Sequence, residues 1–339
     1  MNTFSNSIIY VPSSIQDARR MIKASVDFES LIERPGKEQI LLDRAMSALK
    51  GKTRIPSFHR SDYGDVSAFF DEASADYDSD QLNPYWSFAH EILKFILTKF
   101  IAGHFLNTQS IRVFDAGAGT GNWSKFVLGL NDRVSSILFD MNQNMLGVAH
   151  TKIIRLPGSS AKIVEGNLEI LSDFPSQPSN LVLCMHNVIG LGRNIPLILR
   201  NLYLYLEAGG MAFIMTTNKY HAFNFAIQYR GEDEARRVVS DGTIKFKNDM
   251  PEMFCYTPQE FKTLLETAGF EHVTVLGFPV TIYPSVEDTK LLRNETLENS
   301  LRNPDARNAL LELEKRLCLN PSFAYRAGSS LIAICQKRT

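Results

Sequence analysis

A glycine-rich turn is the stretch of the chain whose residue types and spacing could bind a ligand. Gly117, Gly119 and Gly121 alternate with small residues, directly after an apolar run that ends at Asp115. A pattern of apolar residues at helical spacing follows from Trp123. Glycine lets the backbone bend sharply and lie against a ligand with no Cβ in the way. The stretch predicts a strand, a ligand-binding turn and a helix, in that order.

A second acidic residue follows at the distance expected in a nucleotide-binding βαβ unit. Residues 135–140 (SSILFD) predict a strand that ends in Asp140, about twenty residues after the turn. A carboxylate at this point can accept hydrogen bonds from both hydroxyls of a ribose. We therefore predict Asp140 as a ribose ligand, with a helix N-cap as the structural alternative.

Composition favours one enlarged α/β domain, or a core with a cap. The chain has 339 residues, of which 44% are hydrophobic and 22% are charged, and its formal net charge is −1. A charge so near zero gives no field that would gather polyanions, so the composition disfavours a nucleic-acid partner.

The cysteines, the histidines and the N-terminal residues argue against several other classes. The four cysteines form no C-x-x-C pair and the seven histidines show no metal-ligand spacing, which predicts reduced, packed thiols and no metal site. The first residues lack the pattern of a signal peptide. The most apolar predicted helix, around residues 92–105, is interrupted by charged residues and is not expected to span a membrane. We expect a cytoplasmic protein.

The glycine turn resembles the first motif of class I S-adenosylmethionine (SAM) dependent methyltransferases. Its spacing is G-x-G-x-G after an acid, whereas the dinucleotide fingerprint is G-x-G-x-x-G. The likeness continues in the acid-x-x-x-x-Met-Leu pattern from Asp140, in residues 166–168, in the Gly209-Gly210 pair and in the Ala-Gly-Phe helix end at residues 268–270. It covers roughly residues 65–339.

The resemblance implies a doubly wound, Rossmann-like α/β fold. Its sheet would have seven mainly parallel strands with helices on both faces, and a last hairpin would add an antiparallel strand. We expect an N-terminal helical extension and lid over residues 1–105 and a SAM-binding core over residues 106–339, with an insertion at about residues 219–256. Residues 37–50 predict an amphipathic helix in the extension, which could serve as a lid, a homodimer contact or a plain packing surface.

The resemblance also implies that SAM is the cofactor. The matching positions that would bind it are Asp115, Ala116, Gly117, Gly119, Gly121, Asn122, Asp140, Met141, Gly166, Asn167, Leu168, Met185 and His186. Asn167 stands where the family usually has an aspartate that binds the adenine amino group. Asparagine keeps an acceptor oxygen, so adenine recognition can survive.

Three residues are candidates for catalysis. His186 and Asn187 end the predicted strand 180–187, at the edge where ligands bind in doubly wound folds. A histidine there could take a proton from a nucleophile. The alternative is that His186 only packs beside SAM and that the Asn187 amide fixes a loop. Tyr77 lies in a segment that in the family folds over SAM, where its ring could attract the sulfonium; its alternative is a buried aromatic of a lid helix.

Four functions fit these patterns. The main hypothesis is methyl transfer from SAM to a small metabolite, in specialised metabolism. A SAM-consuming cyclase or lyase, with SAM as the sole substrate and methylthioadenosine as a product, is the second. A tRNA-modifying methyltransferase is the third, because the tail from Asp305 is similar to a subfamily that includes the carboxymethoxyuridine tRNA methyltransferase. The fourth is a SAM-binding regulatory protein without turnover.

Overall fold

The structure, a computed structural model, describes residues 63–130, 132–156, 160–282, 295–325 and 328–339. Its strands are β1 (Ile111–Ala116), β2 (Val134–Asp140), β3 (Ser160–Glu165), β4 (Ser179–Cys184), β5 (Leu206–Asn218), β6 (Thr243–Ile244), β7 (Met253–Tyr256), β8 (Glu271–Phe278) and β9 (Ser330–Gln336). The α-helices are α1 (Gly64–Ala73), α2 (Pro84–His104), α3 (Asn122–Leu128), α4 (Gln143–Ile153), α5 (Ile195–Tyr205), α6 (Lys219–Phe225), α7 (Glu232–Ser240), α8 (Pro258–Ala268), α9 (Glu295–Arg302) and α10 (Pro304–Leu317).

The sheet has a parallel half and an antiparallel hairpin at one side. Strands β3, β2, β1, β4 and β5 lie side by side in parallel. β9 then pairs antiparallel with β5, and β8 pairs antiparallel with β9. This arrangement confirms the predicted doubly wound, mainly parallel sheet whose last hairpin contributes an antiparallel strand. The predicted number of seven strands is too low, because β7 pairs with β5 and β6 pairs with β7, which gives a sheet of nine strands in the described part of the chain.

Helices cover both faces of the sheet. On one face, α2 buries Ile92 and Ile96 in a cluster with Val113 of β1 and Phe213 of β5. On the other face, α5 and α8 bury their apolar sides against Phe114 and other strand residues. Such burial of apolar side chains is the main force that holds an α/β core together.

The insertion at residues 219–256 forms a small unit on the end of β5. It contains α6, α7 and the hairpin of β6 and β7, and its apolar side chains form a cluster of their own. β7 runs parallel to the end of β5, with Thr217 opposite Cys255 and Asn218 opposite Tyr256. The insertion is thereby joined to the edge of the sheet at which β5 ends.

The Gly209-Gly210 pair lies within a strand, although the sequence predicts it as a turn before one. β5 already begins at Leu206, which pairs with Ser179, and the register shifts between Ser179 and Leu181. Gly209 has a φ of 73° and its N–H donates to the Lys337 carbonyl. The glycine pair therefore forms an irregularity inside β5. Hydrogen bonds to Lys337, directly after β9, still continue along this part of the strand.

The described residues leave several expectations untested. Residues 1–62 lie outside them, including the predicted helix at residues 37–50, so the extension's role as a lid or homodimer contact stays a prediction. All four cysteines are free and buried, as the sequence predicts. Within the described residues, no helix is long and apolar enough to cross a membrane, and no group of three or more side chains could hold a metal.

Candidate active site

A cavity lies at the carboxyl ends of β1 to β4, beneath α1. Its empty space is about 1010 Å³, a figure that includes space open to solvent. The glycine turn, the ends of β2, β3 and β4 and the segment from Tyr63 to Tyr77 supply its walls. Of the predicted cofactor residues, the cavity is lined by Gly117, Gly119, Asn122, Asp140, Met141, Gly166, Asn167, Leu168, Met185 and His186.

The backbone of the glycine turn favours glycine at three positions. Gly117, Gly119 and Gly121 have φ angles of 73°, 51° and 76°, in the left-handed region that other residues adopt at a cost. A Cβ on Gly117 would lie 2.5 Å from a methyl of Val188, and one on Gly121 would lie 2.9 Å from a methyl of Leu138. Gly117 and Gly119 face the cavity, whereas Gly121 begins α3.

Asp140 ends β2 at the cavity wall. Its Oδ2 accepts from the Gly119 N–H at 2.8 Å, and its Oδ1 accepts from the Asn142 N–H at 2.8 Å. Burial raises the pKa of this carboxyl, while hydrogen bonds from the backbone oppose the rise. A carboxylate has about four acceptor positions, so both oxygens can still accept from a ligand hydroxyl.

Asp115 does not reach the cavity. Its side chain is 1% exposed, and Oδ2 accepts from the N–H and the hydroxyl of Ser124, at 3.0 and 2.7 Å. Burial raises the pKa of this carboxyl to about 6. Ala116 is likewise fully buried, and Gly121 also lies outside the cavity wall. These three residues shape and anchor the turn, in place of the direct cofactor contact that the resemblance implies.

Gly166, Asn167 and Leu168 form the cavity wall after β3. A Cβ on Gly166 would lie 2.4 Å from the Phe139 ring, so the chain can pass there only as glycine. The Asn167 Oδ1 accepts from the Glu169 N–H at 2.9 Å, and the Asn167 N–H donates to Asp173. The side-chain oxygen of Asn167 thus has one acceptor position in use inside the protein.

A lid formed by residues 63–78 covers the cavity. Val66, Phe70 and Tyr77 line the cavity from this side. The hydroxyl of Tyr63, the first residue of the lid, donates a hydrogen bond to the Glu169 carboxylate at 2.7 Å. Burial raises the pKa of this hydroxyl. The structure places Tyr77 at the cavity wall, and its expected contact with the sulfonium of SAM stays a prediction.

Two carboxylates of the lid accept hydrogen bonds from residues in and near the glycine turn and α4. Asp71 accepts from the side-chain amides of Asn142 and Asn144, both at 2.9 Å. Asp78 accepts from Thr120 at 2.8 Å and Asn122 at 2.9 Å and pairs with Lys152.

The Asp78 carboxylate is ionised at neutral pH. Burial by itself raises its pKa, but hydrogen bonds from Lys152, Asn122 and Thr120 together outweigh burial and lower the pKa. The ion pair is partly buried, which shields it from salt better than a surface pair. We call the contacts of Asp78 the Asp78 latch, since they join the lid to the glycine turn and to α4.

His186 belongs to a cluster of four rings. We call Trp86, His90, Trp123 and His186 the ring cluster: the His186 ring centroid lies 5.1 Å from that of His90, 5.4 Å from that of Trp123 and 6.2 Å from that of Trp86. Burial and then the nearby His90 lower the pKa of His186 to about 3. Its imidazole is therefore neutral near pH 7 and a weak proton acceptor.

Asn187 does not line the cavity. Its Oδ1 accepts from the Thr216 hydroxyl at 3.1 Å and from the Thr217 N–H at 3.2 Å. Its Nδ2 lies 3.3 Å from the Met253 sulfur. The amide is directed at β5 and β7, away from a bound ligand, which is the arrangement of the loop-fixing alternative.

Several site residues escape sequence reasoning. Asp71, Asp78 and Glu169 are not among the predicted residues, although each joins the lid to the core. Asp78 is the acid of the Tyr-Asp pair that ends the lid segment, and this pair is the only local signal for any of them. The partners of Asp71 and Glu169 lie far away in the sequence, so no local pattern marks them.

The residues present fit SAM. The glycine turn leaves backbone at the cavity where a Cβ on Gly117 could not be placed, and the Asp140 carboxylate lies beside it with acceptor positions for a ribose. Phe70, Tyr77 and Trp123 supply aromatic surface of the kind that attracts a cation such as a sulfonium.

Comparison with known structures supports the fold. The CurJ carbon methyltransferase matches with a TM-score of 0.50 and 15% identity, over 95% of this chain and 71% of that chain. The plantazolicin methyltransferase BamL, solved in complex with a triazolic desmethylPZN analogue and SAH (S-adenosylhomocysteine), matches with a TM-score of 0.46 and 18% identity, over 79% of this chain and 90% of that chain. A SAM-dependent methyltransferase from Thermotoga maritima matches with 0.46 and 14%, over 80% and 99%.

A comparison with models of protein families shows which family the chain belongs to. No curated protein matches the chain significantly. The family model of a methyltransferase domain matches residues 85–275, which is more than half of the chain and includes the glycine turn, Asp140 and the ring cluster. The chain therefore belongs to this methyltransferase family, and it is a SAM-dependent methyltransferase with a class I fold.

Proposed function

We propose that the protein methylates a small-molecule acceptor in specialised metabolism. The observation that carries the proposal is the lid: α1 and the Asp78 latch lie over one side of the cavity, which stays partly open to solvent. A covered site limits the access of water and holds reactants in contact, which are two conditions that favour methyl transfer.

In this proposal, each wall of the cavity has a task. Bound SAM supplies an electrophilic methyl group. Asp140 accepts from the ribose hydroxyls, and the residues around Asn167 contact the adenine. The glycine turn holds the methionine part, and Tyr77 and Trp123 shield the sulfonium from water. The chain accelerates the reaction mainly by orientation.

The ring cluster narrows the class of acceptor. A neutral His186 with a pKa of about 3 is a poor base for removing a proton from an alcohol or a phenol. We therefore expect an acceptor that is nucleophilic at neutral pH without first losing a proton to the protein, such as a carboxylate, an enolate of low pKa or an uncharged amine. The predicted role of His186 as general base becomes a role in shaping the cavity wall.

The weak basicity of His186 also favours the second candidate function, a SAM cyclase or lyase. In a SAM cyclase or lyase the nucleophile is part of SAM itself, so no external acceptor has to enter beneath the lid. A cavity that is covered by a lid and lined by a weak base suits such a reaction.

One experiment separates these functions. Purified protein is incubated with SAM alone and the products are followed by mass spectrometry. Methylthioadenosine above the spontaneous rate supports the cyclase or lyase. If SAM stays intact, a fractionated metabolite pool and, separately, tRNA are added, and SAH formation with the metabolite fraction supports the main proposal. SAH formation only with tRNA, or with no acceptor class at all, contradicts it.

A further inference from the structure

The backbone after β4 takes a conformation that needs external support. His186 and Asn187 have φ angles of 53° and 61°, so two successive residues other than glycine lie in the left-handed region. Asparagine adopts this region more readily than most residues, but for His186 it costs roughly 1 kcal/mol or more, and the conformation of the histidine persists only where the surroundings hold it. The support has to come from contacts of the turn itself.

The Asn187 side chain makes those contacts. Its oxygen accepts from Thr216 and Thr217 at the end of β5, and its amide nitrogen contacts the sulfur of Met253 in β7. The fit is close, because a Cβ on Gly190 would lie 2.3 Å from the Asn187 Oδ1. The amide is therefore held on three sides by β5, by β7 and by the turn that follows it.

The turn decides where the His186 ring lies. His186 directly precedes Asn187, lines the cavity, and packs against the other three members of the ring cluster. Met253 belongs to the insertion and packs in the insertion's own apolar cluster. A continuous set of contacts thus runs from the insertion, through Asn187, to the cavity wall.

We propose that Asn187 is a positioning residue, whose side-chain amide couples the insertion to the cavity by fixing the left-handed turn that presents the His186 ring. The insertion thereby helps to set the shape of the cavity without contacting a ligand. The inference concerns the site of the proposed function, but the position of the ring can be measured without an acceptor.

Tryptophan fluorescence is the measurement. The chain contains two tryptophans, and both belong to the ring cluster. A protonated imidazole quenches indole emission, and His186 stays neutral down to a pH of about 3 while the ring is held in place. His90, with a pKa of about 4, and Lys94 beside it on α2 are the other ionisable groups whose charge acts on the cluster.

The decisive variant is Asn187→Gly. Glycine adopts the left-handed turn without strain, so any effect reports the loss of the amide contacts. We expect a new fluorescence titration between about pH 5 and 7, because a released His186 approaches its ordinary pKa of about 6.5. The titration should vanish in the Asn187→Gly, His186→Gln double variant. Where SAM turnover is measurable, kcat should fall by about tenfold or more while the KM for SAM changes less.

Further variants complete the test. Met253→Leu removes the sulfur that the Asn187 amide contacts, so this variant should show part of the new titration. Met250→Leu, a methionine of the same insertion cluster, is the matched control for Met253→Leu. If Asn187→Gly does not fold, Thr216→Val removes one oxygen contact and takes its place.

The proposal is overturned if a folded Asn187→Gly or Thr216→Val variant keeps the flat pH response of the wild type. Failure of the proposed function would show differently. Wild-type protein that binds neither SAM nor SAH in calorimetry would contradict that function, whatever the fluorescence of the Asn187 variants.

Discussion

The carboxylate of Asp140 accepts a hydrogen bond from the backbone N–H of Gly119, with 2.8 Å between Oδ2 and the nitrogen. This contact joins the end of β2 to the middle of the glycine turn. The two parts of the predicted cofactor site are therefore one hydrogen-bonded unit before any ligand arrives, which lowers the cost of ordering the site on binding.

Replacing Asp140 should weaken SAM binding. Asp140→Ala removes the proposed ribose acceptor and the partner of the Gly119 N–H, and hydrogen bonds to a charged group contribute about 1.5–3 kcal/mol. We expect the Kd for SAM to rise by about tenfold to a hundredfold in calorimetry. Glu165→Ala, at the end of the neighbouring strand β3, is the matched control. Equal affinities of the wild type and Asp140→Ala would refute the assignment.

The Asp78 latch should control the opening of the lid. Asp78→Asn keeps the size of the side chain but loses the ion pair with Lys152, so amide hydrogen exchange in residues 64–79 should accelerate. The pKa of Asp78 in the folded protein lies below its ordinary value of 3.8. The latch is therefore intact above pH 3.8 and is lost as the pH falls through the lowered pKa. Glu72→Gln, an exposed carboxyl on α1, should leave exchange unchanged.

Asp115 should make the protein less stable as the pH rises from about 4 to 6. Its folded-state pKa of about 6 exceeds the ordinary 3.8, so the protonated form is favoured by folding. The stabilisation is complete below the unfolded pKa and is lost as the pH rises through the folded one, by about 3 kcal/mol in all. In urea unfolding at several pH values, the free energy of unfolding should depend less on pH for Asp115→Asn than for the wild type. Parallel pH profiles of the two proteins would contradict the raised pKa of Asp115.

Glu314 should be essential to stability although it lies far from the cavity. Its fully buried carboxylate accepts from the Val280 and Thr281 N–H groups and the Thr281 hydroxyl, each at 2.7 Å. Glu314→Ala leaves three donors without this partner, and we expect a loss of about 3 kcal/mol or more in urea unfolding. Glu312→Ala, on the exposed side of the same helix α10, should have no measurable effect. Similar midpoints for the two variants would contradict the expectation.

Two glycine substitutions should act in opposite directions. Gly117→Ala would place its Cβ 2.5 Å from Val188 at a φ of 73°, and should cost about 2 kcal/mol or more and weaken SAM binding. Gly147→Ala meets no atom within 4 Å in the middle of α4, and should stabilise the protein by about 0.5–1 kcal/mol. Thermal melts of both variants measure these changes in stability. A destabilised Gly147→Ala variant would show that the helix is strained at this position.

The sequence is sufficient for the sheet and for most residues that line the cavity because their signals are local. Alternating glycines demand left-handed backbone, and the distance from the turn to Asp140 is set by one helix and one strand. The start of β5 was missed because its first residues pair only through β4 and β9, which no local pattern reveals.

The direction of individual side chains was harder to predict. An acid just before a glycine turn can face the ligand or the following helix, and for Asp115 the buried Ser124 hydroxyl decides in favour of the helix. Asp78 meets Thr120 across 42 residues, and Tyr63 meets Glu169 across 106. The low pKa of His186 arises from burial and then from His90, which comes from a helix almost a hundred residues earlier. These contacts exist only in the folded protein.

The four buried thiols have a practical consequence. The chain contains no cysteine besides Cys184, Cys255, Cys318 and Cys335, all of which are buried, so thiol-directed dyes should react slowly with the folded protein. A cysteine introduced at the exposed Ala75 would then be labelled selectively in an otherwise native background. Lid movement during the binding of SAM could be followed in real time with one fluorophore and without a cysteine-free variant.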